Sequence, residues 1–176
     1  VSGLTATTGA LNVSNIENLN IQATGANTLD LTSVSNVGVF AISGATPGTQ
    51  TLTGVASGQV IGIGEAGATF AGGSEIDVTL ADATGTSDTL TFNVNNTAAA
   101  TTSTTLDISN VETITLDVAA AANNAQVLVA NAEATTLVAV DGGAAALLTL
   151  GTLNAATTTL TASGLDGDIS FSGANA

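Results

Sequence analysis

Apolar and polar residues alternate in short bursts along most of this chain. Thr28-Leu29-Asp30-Leu31, Val37-Gly38-Val39-Phe40-Ala41-Ile42, Thr51-Leu52-Thr53-Gly54 and Val60-Ile61-Gly62-Ile63 are examples. A period of two is the pattern of a strand with one buried face. Gly, Ser, Asn or Thr bound each burst, and these residues turn the chain. β-Branched residues and Gly are too frequent for helix over most of the length. The Ala-rich run within Val118 to Val129 is the exception, where one turn or a short helix is expected.

Two passages are related, Leu11-Asn12-Val13-Ser14-Asn15-Ile16-Glu17-Asn18-Leu19-Asn20-Ile21 and Leu106-Asp107-Ile108-Ser109-Asn110-Val111-Glu112-Thr113-Ile114-Thr115-Leu116, at an offset of 95 residues. Each is followed by a series of short strands, so the chain carries an internal repeat. The predicted division is a first β-solenoid segment, 1–71, holding an incomplete repeat, and a second, 72–176. In the second, Glu75 to Leu80 and Asp88 to Val94 read most simply as a hairpin-like insertion, with parallel strands on successive coils as the alternative. Short strands at roughly ten-residue spacing fit a sandwich or a stacked solenoid. Four Phe with no Trp or Tyr favour the solenoid, whose coils pack small Ala, Thr and Val in ladders. The expected fold is therefore all-β, a parallel β-solenoid with Gly/Asn/Ser turns built on the 95-residue repeat. Val1 in place of Met marks the chain, on this reading, as a fragment of a longer protein.

Charge changes the picture most. The chain has 14 Asp and Glu and no Lys, Arg or His, a formal net charge of −14. No carboxylate can find a cationic side chain, so neutralisation must come from ions. Ca2+ takes roughly six to eight oxygen ligands, which carboxylates, carbonyls, amides and water supply. Calcium is the expected cofactor, and solvated surface carboxylates are the competing reading. Nucleic acid is excluded as a partner, because its recognition rests on Lys and Arg. With no His, Lys, Cys or Tyr, only carboxylate-pair chemistry would remain to an enzyme, and the chain is read as non-enzymatic. There is no apolar run of membrane-spanning length and no basic leader, so direct membrane insertion is not expected.

The candidate metal ligands are Asp77, Asp82, Asp88, Asp166, Asp168, Glu17 and Glu112. Glu17 and Glu112 occupy the same place in the two related passages, two residues after Asn15 and Asn110. Either Glu could instead accept backbone N–H bonds. Gly72-Gly73-Ser74-Glu75-Ile76-Asp77 partly matches the calcium-binding nonapeptide of parallel β-rolls. It departs at Glu75, where the motif has its third Gly, and at Thr79, where it has a large apolar residue. Asp166-Gly167-Asp168 is similarly incomplete, so isolated sites are expected rather than a ladder of them.

The stretch Leu80-Ala81-Asp82-Ala83-Thr84-Gly85-Thr86-Ser87-Asp88-Thr89-Leu90-Thr91-Phe92, followed by Leu106 to Ile114, resembles the C-terminal lattice-forming region of RTX-type surface-layer proteins of Gram-negative bacteria. The resemblance covers about residues 72–171, and the first half through its repeat. It implies an extracellular, type I-secreted structural protein that binds Ca2+ and self-assembles into a two-dimensional lattice on the bacterial cell surface. Contact with surface polysaccharide would belong to other regions of the parent protein. The rival expectation is a stalk or filament segment of a large RTX-type adhesin.

Overall fold

A computed structural model describes residues 8–64, 71, 73–94, 103–118, 125–141 and 147–171. The described residues form thirteen strands in one parallel sheet, and the sheet is wound into a solenoid. The first two strands, β1 (Thr8–Thr24) and β2 (Asn27–Thr46), each run round a full coil. After them every coil is split into two strands. One face carries β3 (Thr49–Val55), β5 (Ser74–Leu80), β7 (Ser103–Ile108), β9 (Ala125–Ala132), β11 (Leu147–Leu150) and β13 (Asp168–Phe171). The opposite face carries β4 (Val60–Ile63), β6 (Thr89–Val94), β8 (Thr113–Val118), β10 (Thr136–Asp141) and β12 (Thr159–Leu165). The two sets meet at β2, whose start pairs with β3 and whose later part pairs with β4. They are called here the β3 face and the β4 face.

Alternation explains the winding. Each strand sends every second side chain inward, and consecutive coils place those side chains in ladders. On the β4 face Leu19, Phe40, Ile61, Phe92, Leu116 and Ala139 stack in register. Each is at most 1% exposed, so this ladder is the fully dry centre of the core. The β3 face supplies Leu29, Leu52, Val78, Ile108 and Ala132. Burying each large aliphatic or aromatic side chain contributes about 1.5–3 kcal/mol. Two Phe suffice because each coil covers the apolar surface of the next.

The corners have their own chemistry. Asn15, Asn36 and Asn110 have φ of 57°, 52° and 59°, the left-handed region that Asn tolerates better than other side-chain-bearing residues. Each follows a Ser and precedes Ile16, Val37 or Val111, which turn back toward the core. Asn36 donates from Nδ2 to Oδ1 of Asn15 at 3.2 Å, tying two coils together at this corner. Beside it Gly38 meets the backbone of the coil below: a Cβ there would stand 2.7 Å from the Glu17 carbonyl oxygen.

Two expectations change. The structural period is the coil, not 95 residues: stacked partners are 20 residues apart at Thr8 and Thr28, 31 at Ile61 and Phe92, and near 23 in most coils. The two related passages sit four coils apart. The strands expected as a hairpin, β5 and β6, lie on opposite faces and do not pair with each other. Their intervening loop, 81–88, turns the corner of a coil instead. The Ala-rich run splits, since 125–129 belongs to β9 and residues 119–124 lie outside the described residues. Pairing of β3 with β5 and of β4 with β6 carries the sheet across residues 71–72.

Candidate metal sites

The outer surface of the β3 face carries a rank of stacked polar side chains, Thr51, Asp77, Asp107 and Asn131, one per coil. Parallel strands lie about 4.8 Å apart, so Asp77 and Asp107 are immediate neighbours. Glu75 projects from the same side of β5 two residues before Asp77, and Thr49 Oγ1 donates to its Oε2 at 3.0 Å. Partial burial pushes the Asp77 carboxyl above the usual carboxylate range, and the negative charges of Asp107 and then Glu75 push it further. A hydrogen bond from Thr51 acts in the opposite direction.

A second acidic group occupies the corner between β5 and β6. The half-buried Asp88 and Glu112 belong to adjacent coils and clasp each other through the backbone. Asp88 N–H donates to Glu112 Oε2 at 2.8 Å, and the Asp88 carbonyl accepts from the N–H groups of Glu112 and Thr113, both at 3.1 Å. The Glu112 carbonyl in turn accepts from Thr136 N–H at 2.9 Å and Thr135 Oγ1 at 3.0 Å in the next coil. Oδ2 of Asp88 is buried and has no hydrogen-bond partner. A buried carboxylate oxygen without a donor bears a desolvation cost that a cation would relieve. Gly85 lies over it, and a Cβ there would meet the Asp88 carboxylate, with Cγ at 2.9 Å. Glycine thus leaves a cradle beside an orphaned acidic oxygen.

The other candidates are dispersed. Asp82 is exposed and closes a turn on itself, its Oδ1 accepting from Thr84 N–H at 3.0 Å and Thr84 Oγ1 at 2.7 Å. Asp30 repeats this with Thr32 at the same two distances. These bonds, the hydroxyl's first, lower both carboxyls below the usual Asp value. Glu17 is exposed on β1, while Asp166 lies in the turn between β12 and β13 and Asp168 opens β13. The fold does not bring these three to Asp77, Asp82, Asp88 or Glu112. Within the partial nonapeptide, Gly72 lies outside the described residues, and Ser74 to Asp77 form strand rather than turn.

Sequence reasoning did not single out Asp107. Its signal was present: Ile76-Asp77-Val78 and Leu106-Asp107-Ile108 are the same apolar-Asp-apolar triplet on two strands. Among the described residues no three acidic side chains converge as a ready metal cage. The donors at Asp88 and Glu112 are all oxygen, which suits a hard cation, but two carboxylates fall short of six to eight ligands. A pocket lined by Leu31, Val34, Phe40, Val55, Ala56 and Gln59 contains no acidic side chain. No protein-family model, curated protein or solved structure matches this chain.

Proposed function

We propose that this chain is a structural, non-catalytic segment of an RTX-type bacterial surface layer, assembled outside the cell into a lattice with Ca2+. The observation that carries the reading is a parallel solenoid in a chain with 14 acids and no cationic side chain. Copies of such a molecule repel one another unless divalent ions screen or bridge them. The Asp88–Glu112 corner, with its orphaned Oδ2 and the Gly85 cradle, is the first place for Ca2+. Asp77 with Asp107 is the second. Each offers too few carboxylates to close a coordination sphere, so carbonyls, water or a neighbouring copy would complete it. An open sphere is what couples metal binding to assembly, since both folding and association then gain from the same ligand. The 95-residue similarity fits a parent grown by duplicating blocks of four coils.

The test is thermal unfolding with Ca2+, Mg2+ or excess EDTA, with electron microscopy of the same samples. Ca2+ should raise Tm more than Mg2+, and ordered sheets should vanish with EDTA. A Tm and an array state indifferent to Ca2+ would leave the carboxylates as solvated surface charge and defeat the proposal. Filaments in place of sheets would move it to the adhesin stalk.

A further inference from the structure

We draw no further inference here: the strongest candidate, the loop 81–88 whose Gly85 lies over the unpartnered Oδ2 of Asp88 at the corner between β5 and β6, belongs to the acidic site already described.

Discussion

At the scale of single residues the corner asparagines and the stacked aspartates pull in opposite directions. Asn110 holds a left-handed φ of 59° that lets the chain pass from β7 to β8. An ordinary L-residue pays about 1–2 kcal/mol in that region. Asn110→Ala should therefore lower the urea midpoint by that much stability with an unchanged m-value, and Asn110→Gly should lose less. Asp77 is strained electrostatically, its carboxyl raised by burial and by Asp107 and Glu75. The folded state then holds that proton more tightly than the unfolded chain. Its contribution to stability is full below the ordinary Asp value and is lost as pH rises through the raised one. Asp77→Asn should raise Tm at neutral pH, and the advantage should shrink on acidification. A variant no more stable than the parent at pH 7 would refute the repulsion. Asp30 and Asp82 run the other way: their depressed carboxyls stabilise above the ordinary Asp value and lose that effect as pH falls, weakly because both are exposed.

At the scale of strands and coils, the in-register ladder sets the stability. Phe92 is fully buried between Ile61 and Leu116, so Phe92→Ala should cost about 3–5 kcal/mol in equilibrium unfolding. Thr105→Ala, on the outer surface, should stay within about 0.5 kcal/mol of the parent. The alternation that names Phe92 as core is readable in Thr89-Leu90-Thr91-Phe92, and so was the solenoid. Pairing was harder to read. A period of two says which face is buried but nothing about which strand lies alongside. Glu75–Leu80 and Asp88–Val94 therefore looked like a hairpin, although each pairs with the coils before and after it. The coil length was hidden because loops such as 81–88 lengthen some coils and leave the strands in register. The same limit explains the site. Asp88 and Glu112 are 24 residues apart and meet only because a coil intervenes. Asp77 and Asp107 needed the register of β5 with β7.

At the scale of the whole molecule every charge has the same sign, so the long-range electrostatic energy opposes the compact state. Sodium chloride raised from about 0.01 to 0.15 M shortens the Debye length from about 30 to 8 Å. That should raise Tm for this chain, whereas loss of attractive ion pairs would lower it in a protein that had them. Screening alone makes no distinction between Na+ and Ca2+ at matched ionic strength. Any further rise with Ca2+ must come from direct ligation, and the fold says where to look. Asp88→Asn keeps the backbone clasp with Glu112 while removing the charge that Oδ2 buries without a donor. Two effects should then separate in one experiment. In the absence of Ca2+ the variant should melt close to the parent, because the backbone clasp is kept and Oδ2 has no hydrogen bond to lose. With Ca2+ at matched ionic strength it should show the screening increment and lose the extra one. If the variant keeps the full calcium increment, the ion sits elsewhere, and the stacked pair of Asp77 and Asp107 becomes the place to mutate next.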